Sequence, residues 1–346
     1  MRRILSLLLV FSAFALCLSS CGLFETVETD ATDSIQVVDT NTEMAGNTDN
    51  VETDEPDHVL GSAKLVGYCT KDSLYDGEFN SKVGWKAAGM GYIVKTASGK
   101  LIVVDGGNTA DAEDFYELLK QYSDGEKVVV DYWILTHPHG DHINCLIEMT
   151  NNSEILSNLT VNKLVYYFPA GFSDSSGNTC QGYIDKMGTV AQRLNASVIE
   201  PRNGQWIYLD DIKIQFLYVA TDYEQLNNTN QLSLIFRITA EKSVLFTGDA
   251  FTPSLQKLAE RYENNTYLKS DILQMPHHFL CDTGYKPFYE LVDADAVLLP
   301  TCIAGYNAMY NDPSYNASTK HLANDFAAQN ASYVYKAFEG NFEIEI

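Results

Sequence analysis

One short stretch constrains this chain more than any other. Val128 to Leu135 reads as a buried-type strand, and it runs directly into Thr136-His137-Pro138-His139-Gly140-Asp141-His142. A strand end followed by a Pro/Gly loop can turn sharply, so three imidazoles and a carboxylate are aimed from a tight arc at a common point. That is a dense cluster for a chain with seven histidines in all. Imidazole and carboxylate together suit Zn²⁺, Mn²⁺ or Fe²⁺, with Zn²⁺ the usual occupant of nitrogen-rich sites.

Three other apolar segments stop at the same kinds of side chain. Leu101 to Val104 ends in Asp105-Gly106-Gly107, and Val244 to Phe246 ends in Thr247-Gly248-Asp249. Gln274-Met275-Pro276 leads into His277-His278. Adjacent side chains on extended backbone point opposite ways, so one of the last two imidazoles is expected to join the cluster while the other faces a substrate. The sequence leaves open which does which.

Together these four segments resemble the signature of the metallo-β-lactamase superfamily, over about residues 85 to 300. The resemblance implies that His137 and His139 serve one metal site, and that Asp141 and His142 serve a second. It further implies that Asp249 bridges the two metals, that one of His277 and His278 completes the second site, and that Asp105 orients a ligating histidine. Many members place another His between the first motif and the bridging Asp, but here none lies between His142 and His277. The corresponding stretch, Asn227-Asn228-Thr229-Asn230-Gln231-Leu232-Ser233-Leu234, resembles that of the extracellular domain of ComEC-type competence proteins. Surface phosphorylcholine esterases are similar in lacking the third His. The first site would then be His137, His139 and Asp249, completed by water or by the Asn230 amide oxygen. Fewer protein ligands leave more positions for substrate oxygens, which favours phosphoester chemistry.

What the resemblance implies is a two-metal hydrolase, with Zn²⁺ first and Mn²⁺ or Fe²⁺ as alternatives. Asp249 and Asp141 carry its catalysis, Asp141 both ligating and accepting a proton from the attacking water. Hydrolysis of a carbonyl substrate, as by a β-lactamase or lactonase, is the alternative reaction, and a non-catalytic binding lipoprotein the alternative class. Among the abundant tyrosines, Tyr306 and Tyr310 are candidates to touch a substrate. His58 and His321 read as incidental.

Strand-like and helical segments alternate along residues 63–346. Hairpins are expected at Gly91 to Lys95 with Leu101 to Asp105, and at Leu232 to Ile238 with Ser243 to Thr247. A tight Asp210-Asp211 turn joins strands at Trp206 to Leu209 and Ile212 to Tyr218. Single strands are expected at Val161 to Phe168, Ile272 to Met275, Ala296 to Leu299 and Tyr333 to Ala337. Helices are expected at Ala110 to Tyr122, Gln181 to Leu194, Pro253 to Tyr262 and Ser318 to Gln329. Pattern alone supports α/β or α+β; the resemblance implies α+β with a four-layer αββα sandwich.

The beginning of the chain reads differently. Arg2 and Arg3 precede an apolar run from Ile4 to Leu18 that is too short to span a membrane, so residues 1–20 read as a secretory signal. Leu18-Ser19-Ser20-Cys21 resembles a bacterial lipobox, which implies acylation of Cys21 and a lipid anchor on the extracytoplasmic face of the cell membrane. Residues 21–62 hold eleven acidic residues and no Lys or Arg, the composition of a disordered, self-repelling spacer.

The chain carries −23, and setting aside the two leader arginines and the eleven linker acids leaves −14 for residues 63–346. A domain of that charge attracts no polyanion at long range, so nucleic acid as the phosphoester partner is not supported by charge. The five cysteines Cys69, Cys145, Cys180, Cys281 and Cys302 match no zinc-motif spacing and read as small buried residues with one disulfide at most.

Overall fold

In a computed structural model, which describes residues 60–78, 89–280, 283–311 and 330–346, the chain builds one mixed sheet and then a second. The first half supplies β1 (Ala63–Gly67), β2 (Gly91–Thr96), β3 (Leu101–Asp105), β4 (Val128–Ile134), β5 (Leu159–Val165) and β6 (Ser197–Ile199). Helices α1 (Ala112–Tyr122), α2 (Gly140–Asn151), α3 (Ser153–Asn158) and α4 (Gln181–Leu194) connect them. The second half supplies β7 (Trp206–Leu209), β8 (Ile212–Tyr218), β9 (Ile235–Thr239), β10 (Ser243–Phe246), β11 (Ile272–Gln274), β12 (Ala296–Leu299) and β13 (Tyr333–Lys336). Its helices are α5 (Thr252–Tyr262), α6 (Lys286–Val292) and α7 (Ile303–Asn311). The last strand, β14 (Phe342–Glu345), crosses back to the first sheet.

The two sheets mirror each other, in the orders β14-β1-β2-β3-β4-β5-β6 and β13-β12-β11-β10-β9-β8-β7. Each begins with antiparallel hairpins and ends with parallel strands, β3 to β6 in one and β10 to β13 in the other.

Strands covered on both faces read as nearly unbroken apolar runs, and alternation then sorts their side chains between two cores. In β3 and β4, Ile102, Val104, Tyr132 and Ile134 face a core shared with Ile214, Phe216, Phe236, Val244, Phe246 and Leu298 of the second sheet. Phe236 and Phe246 stack there at 5.3 Å. Their neighbours Leu101, Val103, Val130 and Trp133 belong to a different cluster, with Phe115, Leu118 and Leu119 of α1 and Ile143, Leu146 and Met149 of α2. Leu245, Leu273 and Val297 pack likewise with Leu255 and Leu258 of α5 and Phe288 of α6. Burying one such side chain is worth about 1.5–3 kcal/mol. The layers are therefore helix, sheet, sheet, helix: the α+β sandwich expected.

Most expected elements stand where the pattern placed them, but two strands shift. β5 ends at Val165, three residues before its expected end. The expected strand start at Leu232 falls instead on a 3₁₀ turn, Thr229–Leu232, because Leu234 N–H is committed to Thr136 O at 2.9 Å and β9 begins only at Ile235. The helix expected at residues 318–329 lies outside the described residues, as do Cys281, Tyr310's side chain, His58 and His321. Among the described residues, Cys69, Cys145, Cys180 and Cys302 are free thiols. No described helix is long and apolar enough to cross a membrane.

Candidate metal centre

The His cluster occupies the turn between β4 and α2. Thr136, fully buried, anchors its start: its N–H donates to Asp105 Oδ1 and its hydroxyl to Asp105 Oδ2, each at 2.8 Å. Asp105 closes β3 in the left-handed region, φ +54°, and its carbonyl accepts the indole N–H of Trp133 at 2.8 Å. The chain then tightens at Pro138, where His139 N–H reaches His137 O at 3.0 Å. Gly140 opens α2, so Asp141 and His142 project from its first turn, where unpaired N–H groups favour negative charge.

The imidazoles of His142, His278 and His137 are each tethered through Nδ1. His142 Nδ1 donates to Asp105 Oδ2 at 2.7 Å, and His278 Nδ1 donates to Pro300 O at 2.8 Å. His137 Nδ1 lies 3.1 Å from Thr136 Oγ1, whose proton is already committed to Asp105, so here too the imidazole donates. With Nδ1 protonated, all three present Nε2 lone pairs inward.

Those lone pairs meet other acceptors. His142 Nε2 and His278 Nε2 are 3.2 Å apart. Asp249 Oδ1 is 3.3 Å from His142 Nε2, and its Oδ2 is 3.2 Å from His278 Nε2 and 3.6 Å from His137 Nε2. Asp141 Oδ2 stands 3.3 Å from His278 Nε2. Buried His137 Nε2 has no hydrogen-bond partner, and Asp249 Oδ1 gains one only when His142 Nε2 carries a proton. Such a cavity of acceptors needs protons or cations to be tolerable. The ligand atoms form two groups spanning no more than 4.8 Å, Asp141/His142/Asp249/His278 and His137/His139/Asp249, with Asp249 common to both. The residues fit a pair of divalent ions.

The titration behaviour follows from the same crowding. Burial holds His137 and His139 below the usual imidazole range. Burial also opposes charge on His142 and His278. Even so, Asp249, Asp105 and Asp141 raise His142, and Asp249 and Asp141 push His278 up to about 9. Burial raises the carboxyls of Asp249 and Asp141, but His278 and His142 outweigh it and hold both well below the carboxylate range. In the absence of metal, protons on His142 and His278 take the place of cations.

His137, His139, Asp141, His142, Asp249 and His278 are brought together, and Asp105 stands behind His142. His277 is not in either ligand group: its ring lies edge-on to Phe251 at 4.9 Å, while its N–H reaches Gly248 O at 3.1 Å. The physical reason is the backbone, since His277, His278 and Phe279 all adopt left-handed φ of +49°, +53° and +62°, which turns successive side chains apart. Asn230 sits buried on the turn beside Ser233, with its Oδ1 unpartnered. Tyr306 packs on Phe338 under Lys336, whose Nζ is 5.0 Å from the Tyr306 ring centroid. Cys21 lies outside the described residues. Pattern reading missed the anchor Thr136, the Pro300 carbonyl, and Ser233 and Gln274. For Thr136 a signal existed, as a polar residue closing an apolar strand.

The metallo-beta-lactamase superfamily model matches residues 88–206, which include Asp105 and the His137 to His142 cluster. This match, with the mirrored sheets and the shared Asp249, supports the metallo-β-lactamase superfamily and a metallo-β-lactamase fold carrying a metal-binding His/Asp cluster. The metallo-β-lactamase fold protein YhfI from Bacillus subtilis is similar at 16% identity and a TM-score of 0.48, covering 82% of this chain and 100% of its own. CmlA, a diiron β-hydroxylase from Streptomyces venezuelae, is similar at 12% identity and a TM-score of 0.48. That overlay covers 82% of this chain and 54% of CmlA, so the chain spans about half of that protein's length. MEM-A1, a subclass B3 metallo-β-lactamase from a soil metagenome library, has 11% identity and a TM-score of 0.39, covering 79% of this chain and 92% of its own. No curated protein matches the chain.

Proposed function

We propose that this chain is a membrane-tethered, extracytoplasmic, metal-dependent hydrolase of phosphoester or phosphodiester bonds. The observation that carries this reading is the incomplete donor set around His137: two imidazoles and the shared Asp249, with no third imidazole among the described residues. A site so built would leave one position open on a four-coordinate ion, or two on a five-coordinate one, for oxygens such as a phosphoryl group supplies, and a third imidazole would leave one fewer. Asn230 Oδ1, a buried acceptor without a partner, is the chain's own candidate to fill one position in the resting state.

Two divalent ions bound there would supply Lewis acidity, acidifying the attacking water and neutralising charge on the phosphoryl oxygens. Asp249 holds the two ligand groups in one frame, because its two oxygens reach imidazoles of both. Asp141 is the more open carboxylate, its side chain 21% exposed against 3% for Asp249, and it can take the proton of the attacking water. For His277, buried against Phe251 and outside both ligand groups, we infer the role expected of the imidazole that does not ligate, donation to a substrate oxygen.

The −14 charge of the domain weighs against long polyanions and towards small phosphodiesters or phosphoryl groups of the cell wall. The lipobox at Cys21 and the acidic spacer support a site held away from the membrane surface.

Purified protein, reconstituted with Zn²⁺ or Mn²⁺, is expected to hydrolyse bis-p-nitrophenyl phosphate or p-nitrophenyl phosphate and to lose that activity in His139→Ala and Asp249→Ala. Turnover of nitrocefin or a lactone in their place would overturn the phosphoester reading. Incorporation of labelled fatty acid that persists in Cys21→Ala would overturn the anchor.

A further inference from the structure

The residue shared by both ligand groups sits at the end of a loop that is held in an unusual way. Among the described residues, every backbone N–H of Thr247-Gly248-Asp249 is satisfied by a buried side chain, not by a neighbouring strand. Gln274 Oε1 accepts from Thr247 N–H and from Gly248 N–H, both at 2.8 Å. Ser233 Oγ accepts from Asp249 N–H at 3.0 Å. The other end of the Gln274 amide donates to Gly248 O at 3.1 Å and to Met275 O at 2.6 Å. Thr247 hydroxyl returns a bond to Gln274 O at 2.7 Å. Gln274, Ser233 and Thr247 are all fully buried.

Such a position in a strand between two packed layers would ordinarily carry an apolar side chain. Here both donors and the acceptor of an amide are spent on three residues of backbone. The clamped glycine has φ +53°, and a Cβ on it would lie 2.9 Å from Thr136 Cβ and 3.1 Å from Ser233 Oγ. The loop is thus pressed against the strand end that launches His137 and held by side-chain bonds from Ser233 and Gln274.

We infer that Gln274 and Ser233 are positioning residues, a side-chain clamp that sets where the Asp249 carboxylate stands between the two ligand groups. The inference rests on the metal-centre part of the proposed function and not on its substrate class. Metal–oxygen bonds tolerate displacements of only about 0.2 Å, so a loop freed by removing the clamp loses affinity before it loses its fold.

The test compares Gln274→Met with Leu209→Ala, a buried substitution on the edge strand β7, four strands from β11 in the sheet order. Three quantities are measured in full-length protein: Zn²⁺ affinity by chelator competition, the visible absorption of the Co²⁺ form, and Tm without metal. Gln274→Met is expected to weaken Zn²⁺ binding by about 10–100-fold, the range for groups that orient ligands, and to change the Co²⁺ spectrum. Leu209→Ala is expected to lower Tm while leaving affinity and spectrum as in the parent. Parent-like affinity in Gln274→Met, or a loss of affinity in Leu209→Ala that tracks its Tm, overturns the clamp. If Gln274→Met does not fold, Ser233→Ala is read against the same criteria, and unchanged affinity and spectrum there overturn it. A parent protein that binds no metal would instead remove the metal-centre reading itself.

Discussion

Asp105 and His142 stand 37 positions apart in sequence and meet through a 2.7 Å contact between Oδ2 and Nδ1, both side chains fully buried. The contact fixes the tautomer: with Nδ1 protonated toward the carboxylate, Nε2 turns its lone pair on Asp249 and His278. Asp105→Asn keeps the shape but weakens this orientation. It is expected to lower Zn²⁺ affinity by about 10–100-fold in chelator competition, with a smaller effect on metal-free Tm. Unchanged affinity would show that packing alone orients His142.

Metal removal is expected to lower Tm, because the loaded state binds ions that the unfolded chain does not hold in place. Calorimetry with and without EDTA, followed by Zn²⁺ repletion, checks this. The metal-dependent shift should shrink in His142→Ala, which removes a ligand from one group and leaves His137, His139 and Asp249 in place.

The metal-free protein should respond to alkali. His278 has a folded pKa of about 9 against 6.5 for an ordinary imidazole, so its cation is favoured by the fold. That contribution is complete below pH 6.5 and is lost as pH rises through 9. Metal-free Tm is expected to decline from neutral pH to about pH 10, and Zn²⁺-loaded protein to lack this component of the decline, since its Nε2 carries no proton. Parallel profiles for the two forms would refute the assignment.

The paired histidines should separate by phenotype. His278→Ala is expected to abolish binding of one metal equivalent, measured by elemental analysis after dialysis. His277→Ala should retain both equivalents and, on the proposed reading, change kcat or KM for bis-p-nitrophenyl phosphate.

Gly248→Ala tests the cramped turn. Left-handed backbone costs a non-glycine residue about 1–2 kcal/mol, and the contact with Thr136 adds to it. Urea unfolding of the metal-free forms should show a loss of at least that size.

Much of this site was legible because metal ligands sit at strand ends. Val128 to Leu135 and Val244 to Phe246 announce themselves as buried strands, and whatever polar residue follows must emerge at the sheet's edge. The mirrored sheets were less legible. β1 and β14 pair across nearly the whole domain, and no local pattern marks a partner so remote. Helix α2 was hidden because its first turn is also the His cluster, whose Pro and Gly read as loop. The choice between His277 and His278 depended on three successive left-handed residues, none of them glycine, a conformation that no propensity signals. Ser233 and Gln274 left no mark either, since a buried Ser or Gln in sequence looks like any other polar residue.

The cluster draws from both halves of the chain: His137, His139, Asp141 and His142 follow a strand of the first sheet, and Asp249 and His278 follow strands of the second. An ion held by His137 and Asp249 would therefore be a covalent-like staple across a loop of more than a hundred residues. By loop-closure entropy, a permanent link of that reach is worth about 4–5 kcal/mol. Metal occupancy and the docking of the two sheets would then be a single event, so that a half-folded or clipped chain, lacking one side of the staple, could not keep its ions.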